Sequence, residues 1–485
     1  MTIEEKIYHN QEQFPEKVAV MSGNTSVTYS ELWKRIVQSA VYFKSYKKLP
    51  QGSRVVVSAS NEIEFVYTYF GLHLAGCICV PIDPQTNLIR LRRIIESADP
   101  SFYIGQILNA DFDVTPFTAL DYTFDDCNDI SFADKNSIAD LLYTTGTTGI
   151  PKGVALTYAN EEAAAININS FIGNTAADVE LLALPVSHSF GLGRLRCVLY
   201  VGGTLDLLGS FANMKKFYGE ILNRQITGFG MVPANWAYIK KLSERKIGEF
   251  ASQIKYIEIG SAFMPLEDKK MLMELLPDTR ICMHYGLTEA SRSSFMEFHT
   301  DRMYLDSIGK PSPNVDIKIF DEQGVEVKDG MEGEICVKGT HVCYNYWGEI
   351  ESDFSENFND GYFKTGDWGI KDKDGYIFLK SRKKELINVG GKKVSPIEVE
   401  EVLNKIDGIK ESVCIGIPDP KGILGEVVKA YIVSEDEMVF TSIIKFMTNK
   451  LESYKIPVAI ERIDAIPKTS SGKIQRLILR ENAIT

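Results

Sequence analysis

The chain has 485 residues, a net charge of −12, 44% hydrophobic and 24% charged residues. This is ordinary globular composition, and the length predicts about two to four domains with sizeable cores. The acidic balance argues against a nucleic acid or an anionic membrane held by bulk electrostatics, while leaving local lysines and backbone N–H groups free to bind small anions.

In chain order, Thr28-Tyr29-Ser30-Glu31 reads as a capping box opening an amphipathic helix. "RVVVSA" from Arg54 is a buried strand, Ile63 to Leu74 a helix, and Cys77 to Pro81 a strand. Strand and helix patterns alternate to about residue 290, through "LLALPVS", "GGTLDLL" and "IKYIEIG", which predicts α/β layers with largely parallel sheets. From 310 to 380, "VDIKIF", "GEICVKG" and "GYIFLK" are short β runs with Gly and Asp turns, so a small β subdomain is expected. The charged cluster "KSRKKE" marks a boundary. Ser395-Pro396 then starts a helix, "SVCIGIPD" and "VVKAYIV" are strands, and Thr441 to Leu451 is a helix. The remaining length suits a small α+β domain.

The eight cysteines (Cys77, Cys79, Cys127, Cys197, Cys282, Cys336, Cys343 and Cys414) form no CxxC pair, zinc spacing or small disulfide framework. Buried thiols in a reducing, cytoplasmic compartment are expected. Met1 to Lys6 lacks a signal pattern, and no uncharged apolar run reaches the roughly 18 residues of a membrane span.

The most unusual stretch is "YTTGTTGIPKG", Tyr143 to Gly153, which packs hydroxyls, glycines and one cation into a loop between two strands. Its glycines let backbone N–H groups approach a phosphate and its threonines add donors. A P-loop would need Ser or Thr after the lysine and a helix at once. Here Gly153 follows Lys152, and the next helix begins near Tyr158. Taken alone, the loop reads equally as a flexible surface connection.

This loop resembles the phosphate loop of the AMP-forming adenylating enzymes, the superfamily of acyl-CoA synthetases, firefly-type luciferases and peptide-synthetase adenylation domains. Further stretches are similar to that family's motifs in the same order. They are "HLAGCICVPIDP" (His73 to Pro84), "LPVSHSFGLG" (Leu184 to Gly193), "MHYGLTEA" (Met283 to Ala290), "YFKTGDWG" (Tyr362 to Gly369), "SRKKELINVGGKKVSPIEVE" (Ser381 to Glu400) and "PKTSSGKIQR" (Pro467 to Arg476). The resemblance spans nearly the whole chain and is closest in style to acyl-CoA synthetases. It implies a large α/β domain (1–383) of two layered subdomains plus the small β subdomain, then a small mobile α+β domain (384–485) with its hinge at Lys384.

The resemblance also implies roles. Thr144, Thr145, Gly146, Thr147, Thr148 and Gly149 match a loop holding the β- and γ-phosphates of ATP. Lys152 either adds charge there or is structural. Tyr285 and Gly286 match the adenine motif, with Gly260, Ser261 and Ala262 on the other side. Thr288 matches a donor to the α-phosphate, and Glu289 a ligand of Mg²⁺; alone, Glu289 would read as a carboxylate at a helix N-terminus. Asp367 matches the ribose ligand, beside Arg382. Lys473 matches the catalytic lysine that meets the substrate carboxylate and the α-phosphate in the transition state. His188 aligns with the acyl-site histidine, and Phe190, Phe229, Met231 and Met283 are candidate acyl-pocket residues. Gly390 and Gly391 would line a tunnel for the pantetheine arm of coenzyme A, while Lys392 and Lys393 read better as solvated.

The Phe-Asp pair usual in amino-acid adenylation domains is missing, and "TGFGMVP" offers no carboxylate for an ammonium group. An uncharged acyl or aryl tail is therefore preferred. Met283-His284 departs from the residues common before "YG" in the family. The implied reaction is acid plus Mg-ATP to acyl-AMP and pyrophosphate, then attack by the thiol of CoA or, alternatively, of a carrier protein. A non-catalytic nucleotide-binding protein is the reading from a different class, and it would predict loss of Lys473, Glu289 or Asp367.

Overall fold

The structure is a computed structural model that describes residues 1–120, 131–144, 151–349, 351–435, 440–468 and 474–484. The chain divides into two compact units, Met1–Ile317 with Val337–Phe363, and Lys318–Cys336 with Lys364–Thr485.

The first unit carries two sheets. Six parallel strands form the body of the larger one, in the order Arg280–Tyr285, Tyr256–Ile259, Gly228–Met231, Val179–Leu182, Thr204–Leu207 and Val18–Ser22. Antiparallel strands Ser294–Glu297 and Lys310–Pro311 extend one edge and Thr25–Thr28 the other. The second sheet runs Asn345–Tyr346, Gly153–Thr157, Ile138–Tyr143, Ile78–Ile82, Arg54–Ser58 and Phe102–Ile104. A five-stranded sheet has Glu332–Lys338 between Asp316–Phe320 and Tyr362–Lys371, with Ile377–Arg382 antiparallel to Tyr362–Lys371. In the second unit, the hairpin Ile387–Val389/Lys392–Val394 and the three strands Ile409–Pro418, Glu426–Ser434 and Ala459–Arg462 surround a small apolar core with the helix Pro396–Leu403.

Local chemistry sets the helix starts. The Thr28 hydroxyl accepts from Glu31 N–H at 3.2 Å, and the Glu31 carboxylate accepts from Thr28 N–H at 2.8 Å. Thr157 and Asn160 cap the helix Tyr158–Ile172 in the same reciprocal way. Ser395 caps Pro396–Leu403, with proline in the first turn. The helices Tyr29–Val41 and Ile63–Leu74 cross closely at Gly71, where a Cβ would fall 2.4 Å from Ser39 Cβ. The wider turn at Tyr42–Tyr46 that ends the first of these has no announcing residue in the sequence.

The helix Ser189–Tyr200 is fastened to both sheets by two buried arginines. Arg194 pairs with Glu180 and Glu258 of the larger sheet. Two residues on, about 200° around the helix, Arg196 pairs with Asp140 of the second sheet and with Glu161. Asp140 in turn meets His73 Nε2 at 3.1 Å, and His73 Nδ1 meets Glu4 at 2.7 Å. Both imidazole nitrogens face carboxylates, so both must donate and the ring is cationic. Burial pushes its pKa down, but the hydrogen bonds to Asp140 and Glu4 outweigh that and raise it to about 10.

Seven cysteines of the described residues are free and buried. Burial pushes the Cys197 thiol up to about 11 and those of Cys77 and Cys336 up to about 12. Among the described residues, no helix is long and apolar enough to cross a membrane.

The variant His73→Leu leaves the buried Glu4 carboxylate without its cation and takes one of two from Asp140, which keeps Arg196, and is expected to cost about 3–5 kcal/mol. The folded imidazole titrates near 10 and the unfolded one near about 6.5. Its stabilisation is therefore complete below about pH 6.5 and is lost as pH rises toward 10. Thermal melts across that window should show the wild-type midpoint falling more steeply than the variant's.

Candidate active site

The loop with the four threonines closes a hairpin. Strands Ile138–Tyr143 and Gly153–Thr157 pair antiparallel with Tyr143 opposite Gly153, and Thr144 N–H donates to Lys152 O at 3.1 Å. Thr145, Gly146, Thr147, Thr148 and Gly149 lie outside the described residues. Arg90 reaches the loop mouth, its guanidinium donating to Tyr143 O at 3.1 Å and Thr144 O at 3.3 Å. Sequence reasoning missed this cation, which lies more than fifty residues upstream with no motif around it. Lys152 points to Glu349, 3.2 Å away, and over the ring of Tyr346, 4.3 Å from its centroid.

The strand Arg280–Tyr285 delivers the adenine and metal candidates. After Tyr285 the chain turns at Gly286, where a Cβ would sit 2.4 Å from Arg292 N, so no side chain fits. Leu287 and Ala290 exchange backbone hydrogen bonds to close the turn. Thr288 borders a small cavity shared with Ser189, Ser291 and Arg196. The Glu289 carboxylate accepts from Tyr346 Oη at 2.8 Å, and its backbone carbonyl accepts from Cys343 N–H at 2.7 Å. This partly exposed hard oxygen fits a Mg²⁺ that draws its other ligands from phosphate and water. No group of three or more His, Cys, Asp or Glu gathers among the described residues to make an all-protein cage.

Behind these loops, one face of the larger sheet holds a buried ion cluster centred on Glu258. Its carboxylate lies 3.0 Å from Arg292 Nε, 3.2 Å from an Arg194 nitrogen and 2.6 Å from His284 Nδ1, the last at an angle poor for a hydrogen bond. Glu180 completes it, paired with Arg194 and accepting from Tyr256 Oη at 2.6 Å. Burial opposes ionisation of Glu258, but Arg292, His284 and Arg194 hold its carboxyl far below the usual range. The pKa of His284 is lowered as well, first by burial, which favours its neutral form. Arg292 also donates to Ser189 O and Phe190 O, both at 2.9 Å, tying the candidate acyl motif to the turn after Glu289. Glycines make room: a Cβ on Gly260 would fall 2.1 Å from His284 Nε2, and one on Gly193 2.5 Å from Arg292. Ser261 (φ 71°) and Arg292 (φ 54°) both hold left-handed backbone here, a conformation that persists only where its surroundings enforce it.

His188 is the residue before the helix Ser189–Tyr200, and Phe190 packs edge-on to the His284 ring at 4.6 Å. Phe229, Met231 and Met283 are not brought together with them. Side chains alternate along a strand. Gly230 faces Leu184, Phe190 and Arg194, whereas Phe229 and Met231 are buried in the apolar cluster with Phe217 and Trp236, with Met283 packed against it. Ala262 follows Ser261 in the partly exposed loop after the strand Tyr256–Ile259.

In the second unit, Asp367 and Arg382 sit opposite one another on paired strands, with Arg382 Nε 2.9 Å from Asp367 Oδ1. Lys384 is exposed in a short 3₁₀ turn, Lys383–Glu385. Gly390 (φ 59°) and Gly391 (φ 84°) form the tip of the hairpin that Lys392 and Lys393 follow. Those lysines lie over the rings of Tyr454 and Trp368, each 4.5 Å from a centroid. Lys473 lies outside the described residues. Flanking it, Lys468 pairs with Ile474, and Arg476 grips both oxygens of Glu400 at 2.7 Å.

The sequence matches the AMP-binding enzyme family over residues 7–347 and the AMP-binding enzyme C-terminal domain over residues 398–473. Among curated relatives, the 2-succinylbenzoate–CoA ligase of Staphylococcus aureus strain MSSA476 is 29% identical over 505 aligned positions, covering 97% of this chain and 98% of the relative. Two solved structures of o-succinylbenzoate CoA synthetase from Bacillus subtilis superpose with a TM-score of 0.87 each. One holds the acyl-adenylate intermediate OSB-AMP (26% identity, 98% of this chain and 97% of that one). The other holds ATP and magnesium ion (25% identity, 97% and 98%). The match runs through most of the chain, and the fold is that of solved members: the protein belongs to the AMP-binding enzyme family.

Proposed function

We propose that the chain is an AMP-forming acyl-CoA synthetase. It activates a carboxylic acid with Mg-ATP to acyl-AMP, releasing pyrophosphate, and then forms a thioester with coenzyme A. The observation that carries this reading is the junction of two motifs in the first unit: the Thr/Gly hairpin ends at Lys152, and one strand pairing away Tyr346 holds the Glu289 carboxylate. A phosphate loop beside a hard oxygen ligand is what a metal-bound triphosphate requires. The relatives named as CoA ligases and the ATP-, magnesium- and acyl-adenylate-bound neighbours support ATP, Mg²⁺ and coenzyme A as the remaining participants.

In this reading Thr144 to Gly149 hold the departing pyrophosphate, Thr288 donates to the α-phosphate, and Tyr285 with Gly260 to Ala262 flanks adenine. Asp367 and Arg382 take the ribose, and His188 borders the acyl group. Bound Mg²⁺ would neutralise phosphate charge from Glu289. Lys473 supplies positive charge where the carboxylate meets the α-phosphate. The hinge of this reading is Lys384, inside the second compact unit rather than at its edge, whose exposed turn would absorb a rotation between the half-reactions, and the enzyme works in the cytoplasm.

The substrate class we infer is an acid with an uncharged tail. Arg292, whose guanidinium lies 4.8 Å from the Phe190 ring centroid, and Arg194 on the same helix as Phe190 are already neutralised by Glu180 and Glu258 and committed to named acceptors. A second carboxylate on the substrate would have to break those buried pairs.

Incubation with Mg-ATP and a panel of acids, with and without CoA, followed by mass spectrometry, tests the reaction. Monocarboxylic aliphatic or aryl acids should give acyl-CoA in preference to 2-succinylbenzoate and other dicarboxylates. Acyl-AMP that accumulates despite CoA would refute the CoA step, and no product with any acid would refute the whole reading. Separately, Lys473→Ala should slow acyl-AMP formation by about 10²–10³-fold while leaving thioester formation from supplied acyl-AMP largely intact. Equal loss in both half-reactions would remove the assigned role.

A further inference from the structure

Tyr346 stands in none of the motifs that mark the site, yet it touches two of them. Its hydroxyl donates to Glu289 Oε1 at 2.8 Å, and its ring lies under Lys152, whose Nζ is 4.3 Å from the centroid. The residue is buried, and its own position is over-determined. Asn345 and Tyr346 pair with Ala155 and Val154. Trp347 N–H donates to Gly153 O at 2.7 Å, and Tyr344 N–H to Ala155 O at 3.0 Å. Phe354 packs edge-on against the ring at 5.4 Å. The same segment holds Glu289 by its main chain, through Cys343 N–H and the bridge between Val342 and Ala290.

A carboxylate on a two-fold, broad terminal torsion has no preferred plane unless something fixes one oxygen. A hydroxyl that can only donate to an ionised carboxylate does this. Lys152 is meanwhile occupied on both sides, by the ring and by Glu349 at 3.2 Å.

We propose that Tyr346 is a positioning residue for the metal–nucleotide complex: it takes Glu289 Oε1 and leaves Oε2 to face Mg²⁺, while Lys152 fixes the Tyr346 ring rather than neutralising a phosphate. This rests on the reading of Glu289 given under Proposed function. Partners that orient a metal ligand from behind typically contribute about 10–100-fold in metal affinity.

The test is ATP binding by calorimetry on the full chain at graded Mg²⁺, which needs no acid and no turnover. Tyr346→Phe keeps the ring under Lys152, and thermal melts on the same samples report folding. The Mg²⁺ concentration giving half-maximal ATP affinity should rise about 10–100-fold, with Mg²⁺-free ATP affinity unchanged. Lys152→Gln should leave Mg²⁺-free ATP affinity within about two-fold and shift the Mg²⁺ midpoint in the same direction, by less. An unmoved midpoint in folded Tyr346→Phe would overturn the positioning role and leave the synthetase reading standing. A large loss of Mg²⁺-free ATP affinity in Lys152→Gln would return that lysine to the phosphates and overturn its assignment to the ring. Failure of the wild type to bind ATP at any Mg²⁺ concentration would overturn both this proposal and the function it rests on.

Discussion

Two arginines two residues apart govern the first unit. Arg194 and Arg196 leave the helix Ser189–Tyr200 on nearly opposite sides, Arg194 ending in two carboxylates of the larger sheet and Arg196 in Asp140 of the second sheet and Glu161 of the helix Tyr158–Ile172. Neither charge can be solvated where it lies, so each demands its partners in place. The helix therefore cannot roll or slide without leaving a charge unpaired. Its first residues are the candidate acyl motif, and Arg292 fastens their carbonyls to the turn that follows Glu289. The start of this helix and the turn after Glu289 are thus referenced to one buried electrostatic frame.

A second constraint comes from space rather than charge. Gly260, Gly286 and Gly193 sit where a Cβ would collide with His284, Arg292 N and the Arg292 guanidinium. Gly260 and Gly286 directly follow two strands and Gly193 lies within the helix Ser189–Tyr200, and all yield to the same two residues. His284 and Arg292 can approach Glu258 only because those glycines are there. The departure at Met283-His284 from the familiar pattern is consistent with this: the imidazole is not an isolated oddity but a wall of the ion cluster, stacked edge-on against Phe190.

Much of the fold was legible in the sequence. The strand before the Thr/Gly loop, the strand after it and the helix at Tyr158 lie where periodicity and capping put them, as do the helices Ile63–Leu74 and Pro396–Leu403. The lateral arrangement was not. Which face of Gly228–Met231 looks toward Phe190 depends on register with its neighbours, and the alternation that sends Phe229 and Met231 into the apolar cluster becomes visible only once the strands are paired. Arg90, Glu258 and Tyr346 escaped for a related reason. Each acts through a contact far away in sequence, and none carries a local pattern that a single chain could display. Lys152 was ambiguous in sequence because a lysine beside a phosphate loop and a lysine over a ring look alike until the ring is located.

The buried thiols have a practical consequence. Alkylation requires an accessible thiolate, and the seven described cysteines are covered, with burial raising the pKa of Cys77, Cys197 and Cys336 to about 11 or 12. With Cys127 replaced by serine, a cysteine introduced at an exposed position such as Lys384 would be the preferred target for a maleimide dye. The chain thus offers a quiet background for site-selective labelling, and distances between its halves become accessible to fluorescence without dismantling its core.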